Sequence, residues 1–186
     1  MNLADLIENL RGLLRSVGEW DGGAAVSVLL RFEGRDLKLL LVKRAENPSD
    51  PWSGDMAFPG GKRHAIDRDL WETVVRETME ETGIELCECL FLGTLDIATS
   101  NVAPTLGVLP FVFLCEETPE VELSGELVSY IWVSVEQLRR SKGITPVKQG
   151  TAPAYVMEGD VVWGLTYRML ENLLHILDRA TGEGSS

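Results

Sequence analysis

The segment DLWETVVRETMEETG, at positions 69–83, restricts the fold more than any other part of the chain, because both of its ends are marked and strand-like segments flank it. Asp69 is followed three residues later by Glu72, an acidic variant of the capping box, and this pattern predicts a helix that begins at Leu70. Gly83 predicts the end of the helix, since a glycine commonly follows the last turn. The chain must therefore place one helix between two groups of strands.

Three glutamates of this helix, Glu77, Glu80 and Glu81, fall on one side of it at about 100° per residue. Like charges at this spacing repel, and Arg76 is the basic residue among them. Such a face often only meets water. The other interpretation is a hard divalent cation such as Mg²⁺, which selects clustered carboxylate oxygens. We predict a metal site on this exposed face. The opposite side carries Trp71, Val75, Thr78 and Thr82.

Apolar and β-branched segments on both sides of the helix predict a mixed sheet. GAAVSVLLRF and DLKLLLVKR flank a turn at 33–35 and predict a hairpin. Three further strand candidates follow the helix: LFLGTLDIAT, TLGVLPFVFLC and VSYIWVSV. A short helix is predicted over 135–140, then an irregular stretch with prolines, a small hairpin in YVMEGDVVW and a last helix over 165–179. Helices on a mixed sheet predict an α/β fold, a layered sandwich.

The two ends of the chain carry simple patterns. Leucine and isoleucine recur at helical spacing over 1–19 and predict an amphipathic N-terminal helix, without the unbroken apolar centre of a secretory signal. The end TGEGSS, within 181–186, predicts a disordered tail. A length of 186 residues suits a single domain, so we expect one domain over 1–186.

Composition limits the partners of the chain. A formal net charge of −12 argues against a general nucleic-acid surface, which normally carries a basic stripe. No apolar run approaches the roughly 20 residues of a membrane helix, so we expect no membrane partner and a cytoplasmic location. Cys87, Cys89 and Cys115 cannot all pair within the chain, and C-x-C without a nearby histidine is poor zinc-ligand spacing. We expect three buried thiols.

The stretch GGKRHAIDRDLWETVVRETMEETGI resembles a Nudix box, the signature of the Nudix hydrolases. Positions 76–84 fill the second half of that pattern, with Thr78 in place of an apolar residue. In the first half the glycine lies one residue farther upstream than the pattern requires, and Asp67 or Asp69 is the substitute for its glutamate. The resemblance implies a Nudix-type α/β/α sandwich with a mixed β-sheet.

The same resemblance implies a pyrophosphohydrolase that cleaves the P–O–P bridge of a nucleoside diphosphate derivative, with Mg²⁺ or Mn²⁺ as cofactor. The implied metal ligands are Glu77, Glu81, Glu80 as a third or water-bridged ligand, and the carbonyl oxygen of Gly60. Arg76 would orient the glutamates by salt bridges. The general base is either Glu77 or Glu126, which precedes the strand LVSYIWV, and the sequence leaves this choice open.

A second resemblance concerns the substrate. LLVKRAENPSDPWSGDMAFPGG is similar to the upstream signature of coenzyme A pyrophosphatases within the Nudix superfamily, and VVWGLTYRML resembles the last helix of that subgroup. The loop at 45–54 is one residue longer than the signature and lacks its arginine. The resemblance implies coenzyme A or a derivative as substrate, ahead of ADP-ribose or another nucleotide sugar, and then of oxidised nucleoside triphosphates.

Several single residues are candidates for contact with the substrate. Arg44 and Lys62 flank the predicted metal site and are either phosphate contacts or solubilising surface residues. Trp52 either stacks on a base or closes the edge of the core. His64 and His175 have no partner pattern, and we expect His175 to be structural.

Two functional classes remain open. The expected partner is a small nucleotide-diphosphate substrate, and the superfamily resemblance is also compatible with a homodimer. The alternative to an enzyme is a binding module that keeps the fold without turnover. The complete set of glutamates, Glu77, Glu80 and Glu81, favours the enzyme, because a binding module is free to lose metal ligands.

Overall fold

A mixed sheet forms the middle layer of the protein. The computed structural model describes residues 2–16, 22–47, 53–99, 104–147, 150–157 and 159–182, and within these ranges eight strands join one sheet and three form a second. The strands are β1 Ala24–Glu33, β2 Asp36–Arg44, β3 Met56–Ala57, β4 Gly60–Lys62, β5 Leu90–Thr94, β6 Ala98–Thr99, β7 Gly107–Cys115, β8 Leu127–Ser134, β9 Lys142–Val147, β10 Gly150–Met157 and β11 Asp160–Trp163. The helices are α1 Leu3–Leu13, α2 Leu70–Thr82, α3 Val135–Ser141 and α4 Gly164–Thr181, with a short 3₁₀ helix at Leu86–Glu88.

The large sheet has the strand order β3–β2–β1–β7–β5, while β4, β6 and β8 pair with β1, β7 and β2 respectively. β1 and β2 form the predicted hairpin, in which Leu30 lies opposite Leu39 in the antiparallel ladder. β1 and β7 run parallel, so the sheet is mixed, as predicted. β4 pairs with the start of β1, opposite Ala24 to Val26, and this pairing holds the turn of the candidate site.

Alternate residues of the central strands face opposite sides of the sheet and build two cores. Ala25 and Leu29 of β1 pack in one core with Leu70 and Val74 of α2. Val28, also in β1, belongs to the other core, which joins the sheet to α1, α3, α4 and the small sheet β9–β10–β11. The layers therefore form an α/β/α sandwich with α2 on one side and the other three helices on the opposite side.

Helix α2 begins and ends where the sequence predicts. The side chain of Asp69 accepts a hydrogen bond from Glu72 N–H at 2.9 Å, and Gly83 closes the helix with a φ of 71°. The predicted division of its faces is wrong in part, because Val75 is exposed and Glu81 is buried. The buried residues are Leu70, Thr73, Val74, Thr78, Glu81 and Thr82. The β4 turn covers the glutamate side of the helix, and the buried face is rotated accordingly.

The terminal helices differ in length from the predictions. α1 ends at Leu13 rather than continuing through 19, and Arg15 pairs instead with Thr94 in an isolated antiparallel bridge. Positions 1 and 17–19 of the predicted helix and positions 183–186 of the predicted tail lie outside the described residues. α4 covers the predicted 165–179 and extends it to Thr181. Its predicted apolar stripe is buried, as Leu170, Leu173, Leu174 and Leu177 show.

The prediction of an irregular stretch after α3 is wrong. Residues 142–147 and 150–157 form β9 and β10, with Pro146 opposite Thr151 and Pro153 opposite Ile144. β9 is an edge strand, where a proline is tolerated because the missing N–H can face away from the partner. The predicted small hairpin is confirmed as β10 and β11.

The expectation of three buried thiols is also wrong. Cys89 and Cys115 form a disulfide with their Cα atoms 4.3 Å apart, and Cys87 is an exposed free thiol. The reason is the pairing of β5 with β7, which sets Leu90 opposite Leu114 and so brings the two adjoining cysteines together.

None of the described helices has both the length and the apolar composition to cross a membrane. The cytoplasmic location and the homodimer stay predictions.

Candidate functional site

The site is built around a turn of the backbone at Gly60, where β4 begins. Gly60 has a φ of 144°, and a Cβ at this position would lie 2.3 Å from the carbonyl oxygen of Ala25. Only glycine therefore fits so close to β1 in this conformation. The N–H of Gly60 donates to the carboxylate of Glu81 at 2.8 Å, which fixes the turn of the backbone against the C-terminal end of α2.

Glu81 is the buried carboxylate of the site, with 5% of its surface exposed. Its pKa is raised to about 7, chiefly by burial and to a smaller extent by the charges of Glu77 and Glu126. The Gly60 hydrogen bond and the charge of Arg44 oppose this rise. The Arg44 guanidinium lies 3.7 Å from the Glu81 carboxylate. The site thus holds a carboxylate that is poorly neutralised by the protein itself.

Arg76 links the other acidic residues of the site. Its guanidinium contacts both carboxylate oxygens of Asp67, at 2.8 and 3.0 Å. The same group contacts Glu77 at 2.9 Å and Glu80 at 3.1 Å. Hydrogen bonding to Asp67 is the main reason that the pKa of Arg76 is raised, and the Arg76 charge is stabilised accordingly. Arg76 therefore holds three carboxylates in fixed positions.

Asp67, rather than Asp69, is the upstream aspartate that pairs with Arg76 in the site. Its side chain is buried and accepts from His64 N–H at 2.9 Å and from the Thr73 hydroxyl at 3.0 Å, in addition to Arg76. The hydrogen bonds from Arg76 hold the pKa of Asp67 well below its usual range. Asp69 caps the helix instead, so the two aspartates that the sequence left as alternatives have separate roles.

Glu126 comes to the site from the segment between β7 and β8. The N–H of Ala45 donates to the carbonyl oxygen of Glu126 at 2.8 Å, and Ser124 N–H donates to the carbonyl oxygen of Glu81 at 3.0 Å. These backbone bonds hold the segment against both β2 and α2. The negative charge of Glu126 is close enough to raise the pKa of Glu81. The two general-base candidates, Glu77 and Glu126, thus share one electrostatic environment with Glu81.

The donors of the site fit a hard divalent cation in their chemistry. Among the residues that the structure describes, no three Asp, Glu, His or Cys side chains are gathered tightly enough to form a complete metal cage as they stand. Glu80 is 60% exposed and turned to Arg76, so it is the outermost of the predicted ligands. Glu77, Glu81 and Glu126 are oxygen donors whose mutual repulsion a cation would relieve.

The predicted substrate contacts are placed unevenly around the site. Arg44 lies next to Glu81 and is partly exposed, and Lys62 is exposed in β4, where its carbonyl oxygen accepts from Arg76 at 3.4 Å. Trp52 lies outside the described residues. His64 contributes its backbone N–H to Asp67, while His175 is exposed on α4, on the far side of the sheet from α2.

The sequence analysis missed two hydroxyl groups that support the site. Thr73 donates to Asp67, and Ser27 in β1 accepts from Thr78. The signal for Ser27 is a polar residue at an inward position of an otherwise apolar strand, GAAVSVLLRF. Thr78 carries the matching signal, since it stands at an apolar position of the Nudix pattern.

Comparison with known proteins gives concordant results. The model of the NUDIX domain family matches residues 22–155. An uncharacterized protein of Schizosaccharomyces pombe is 38% identical over 107 residues, which cover 54% of this chain and 32% of the relative. The mitochondrial coenzyme A diphosphatase NUDT8 of Mus musculus is 29% identical over 148 residues, which cover 75% of this chain and 70% of the relative. This chain thus spans about a third of the first relative's length and more than two thirds of the second's.

Among solved structures, the NUDIX domain of Shewanella oneidensis NrtR, in complex with ADP ribose, superposes with a TM-score of 0.53 at 16% identity. The superposition covers 100% of both chains. At this identity the likeness concerns the fold.

Proposed function

This chain belongs to the NUDIX domain family, and from that premise we propose that it is a divalent-metal-dependent pyrophosphohydrolase that cleaves the diphosphate bridge of coenzyme A or a derivative. The predicted Nudix resemblance and the predicted α/β/α sandwich are confirmed by the family match and by the layered fold. The prediction of a hydrolase agrees with the diphosphatase name of the mouse relative.

One observation carries the proposal of catalysis. Glu81 is a buried carboxylate held by the Gly60 turn, and Glu77 and Glu126 add negative charge beside it. A protein that used α2 only for packing would gain stability by replacing Glu81 with an apolar residue, because a buried charge is unfavourable where its partners, here Arg44 at 3.7 Å and the Gly60 N–H, compensate it only in part. A bound cation would neutralise these carboxylates and so explain why Glu81 is buried beside them.

The chemistry follows from the positions of these residues. Glu77, Glu81 and the carbonyl oxygen of Gly60 would hold Mg²⁺ or Mn²⁺, with Glu80 as an outer ligand. The metal, when bound, lowers the pKa of water and neutralises charge on the phosphates. Glu126 or Glu77 takes the proton of the attacking water, an oxygen–phosphorus bond forms, and the bridging P–O bond breaks. Arg76 keeps Glu77 in place through its own contact with Asp67.

The choice of substrate rests on two supports. The mouse relative is named a coenzyme A diphosphatase, and the stretch from β2 to β4 carries most of the upstream signature of coenzyme A pyrophosphatases. Arg44 lies beside Glu81 and is a candidate contact for a substrate phosphate. ADP-ribose is the second candidate, because the NrtR domain of the same fold binds it. Lys62 and Trp52 remain proposed contacts of either substrate.

The test is hydrolysis of a panel: coenzyme A, ADP-ribose, NADH, diadenosine polyphosphates and nucleoside triphosphates, with Mg²⁺, with Mn²⁺ and with chelator. We expect chelator-sensitive release of 3′,5′-ADP and phosphopantetheine from coenzyme A. Faster cleavage of ADP-ribose would replace the substrate but keep the reaction. No cleavage of any compound would reject the enzyme in favour of a binding module.

The same assay tests the site. Glu77→Gln and Glu81→Gln should each reduce turnover by about 10²-fold or more, since each removes charge from the reacting centre. Glu72→Gln is the matched control, because Glu72 lies on the same helix and pairs with Arg68 outside the cluster. Turnover equal to the control in both variants would contradict the assignment of the site.

A further inference from the structure

Two buried hydroxyl groups join α2 to the turn of the candidate site. Thr78 of α2 and Ser27 of β1 are both fully buried. The Thr78 hydroxyl donates to the Ser27 hydroxyl oxygen at 2.9 Å, and the Ser27 hydroxyl donates to the carbonyl oxygen of Pro59 at 3.4 Å. The N–H of Ser27 donates to the same carbonyl at 2.8 Å. Pro59 is thus tied to the strand and, through the strand, to the helix.

The Ser27–Thr78 pair places two hydroxyl groups in an interface that is otherwise packed with apolar side chains. Ser27 and Thr78 lie in the interface between β1 and α2, beside the apolar core that holds Ala25, Leu29 and Val74. Burying hydroxyl groups is unfavourable unless they are hydrogen-bonded, and an apolar pair of similar volume would fill the same space without that constraint. The Nudix pattern itself has an apolar residue where Thr78 stands. The hydrogen bonds of the hydroxyl pair fix the orientation of β1 relative to α2, whereas apolar contacts are not directional.

The pair acts on the residue next to Pro59. Gly60 donates its N–H to Glu81, which lies three residues after Thr78 on the same helix. The turn is therefore fastened to α2 twice, once through Ser27 and Thr78 and once through Glu81. If the hydroxyl link is lost, the Ser27 N–H and the pairing of β4 with β1 still hold the turn on the strand. The hydrogen bond from Gly60 N–H to the Glu81 carboxylate then has to hold Gly60 against α2 without the second link.

We propose that Ser27 and Thr78 are positioning residues that fix the Gly60 carbonyl and the Glu81 carboxylate at the spacing required to bind a divalent cation. The inference rests on the proposed function, since it concerns the metal site of that reaction. The two residues act as one unit and touch neither the metal nor the substrate. Their loss weakens the binding of the cation before it disrupts the fold.

The test uses the full chain and measures Mn²⁺ binding by calorimetry together with thermal unfolding. Thr78→Val, which keeps volume and removes the hydroxyl, should weaken Mn²⁺ binding about tenfold, the equivalent of one lost hydrogen bond. Ser27→Ala should have a similar effect, and the double variant should be no worse than either single one, because the two residues form one connection. Thr78→Ser keeps the donor and should retain the affinity for Mn²⁺.

Thr82→Val is the matched control. Thr82 is equally buried on the same face of α2, but its hydroxyl donates to the carbonyl oxygen of Thr78 within the helix, at 2.7 Å. This variant should lose stability and keep the wild-type affinity for Mn²⁺. If Thr78→Val also loses only stability, Thr78 is structural and the inference is overturned.

The outcomes separate this inference from the proposed function. In one outcome the wild type binds Mn²⁺, Thr78→Val binds it about tenfold more weakly, and neither protein cleaves a diphosphate. That outcome supports the positioning role and rejects the enzyme. A chain that cleaves its substrate with unchanged Mn²⁺ affinity in Thr78→Val rejects the positioning role alone. A wild-type chain that binds no Mn²⁺ overturns both.

Discussion

Glu81 places its carboxylate where water hardly reaches it, and this position has a consequence for stability. Its pKa is raised from 4.5 to about 7, chiefly by burial. Between these two values the folded chain keeps a proton that the unfolded chain has released. The contribution of Glu81 to the free energy of unfolding therefore falls as the pH rises through this window, and it is constant above about pH 7.

We predict that Glu81→Gln stabilises the metal-free protein at high pH. Relative to the wild type, the free energy of unfolding of the variant should increase by about 2 kcal/mol between pH 5 and pH 8, because the amide cannot ionise. The measurement is urea unfolding of both proteins at the two pH values in the presence of chelator. Glu80→Gln is the control on the same helix, since that carboxylate is mostly in solvent. Equal pH dependence of wild type and Glu81→Gln would contradict the prediction.

The burial and the raised pKa of Glu81 could not be predicted from its position in the helix. A helical projection puts Glu81 with Glu77 and Glu80 on one side of α2, and the pattern predicts that this side is exposed. The three differ because the turn at Gly60 comes from a distant strand and covers Glu81 but not Glu80. The sequence predicts which residue types gather here, whereas their burial depends on a pairing between β4 and β1 that no local pattern contains.

At the scale of elements, the turn at the start of β4 contains two glycines, Gly60 and Gly61, whose missing side chains leave room for different neighbours. A Cβ on Gly60 would lie 2.3 Å from the backbone oxygen of Ala25 and would require a φ near 144°. A Cβ on Gly61 would lie 2.5 Å from the carboxylate of Glu77, the far end of a flexible side chain. The first obstacle is rigid, and the second is able to move away.

We predict opposite outcomes for alanine at these neighbouring positions. Gly60→Ala should destabilise the fold by about 2 kcal/mol or more, because β1 and β4 must separate. Gly61→Ala should change the free energy of unfolding by less than about 1 kcal/mol but lower turnover by about 10²-fold, since it displaces the Glu77 carboxylate from its working position. Urea unfolding and the hydrolysis assay, run on both variants, check the contrast. A fully active Gly61→Ala protein would show that the position of Glu77 is unimportant.

Elements with strong local signals are those that the sequence predicts well. The β1–β2 hairpin has a turn between two apolar strands, and α2 has a cap at Asp69 and a stop at Gly83, so their ends agree with the structure. β9 and β10 contain Pro146 and Pro153, which locally argue against strands. Their pairing with each other and with β11 outweighs that preference, and the ladder is visible only in three dimensions.

At the scale of the whole molecule, the order of the strands decides the chemistry of the cysteines. β5 and β7 are neighbours although the chain between them includes β6, and this brings Cys89 to Cys115. The spacing of the cysteines along the chain does not predict that Cys89, rather than Cys87, pairs with Cys115. Cys115 lies beside Arg31, five residues along β1 from Val26, the partner of Gly60, so the disulfide lies about 17 Å along the strand from the Gly60 turn.

The last prediction concerns the state of these cysteines. The unfolded, unreduced chain should titrate one thiol, that of Cys87, and three after reduction; Cys87→Ser should titrate none before reduction. Because the disulfide closes a loop across a sequence separation of 26 residues, reduction should lower the free energy of unfolding by about 3.5 kcal/mol in the chain-entropy account. Hydrolysis at low temperature should be unchanged, since the site is distant. Three thiols in the unreduced chain would mean that Cys89 and Cys115 remain reduced in solution, and the stability difference between reduced and untreated protein would then vanish.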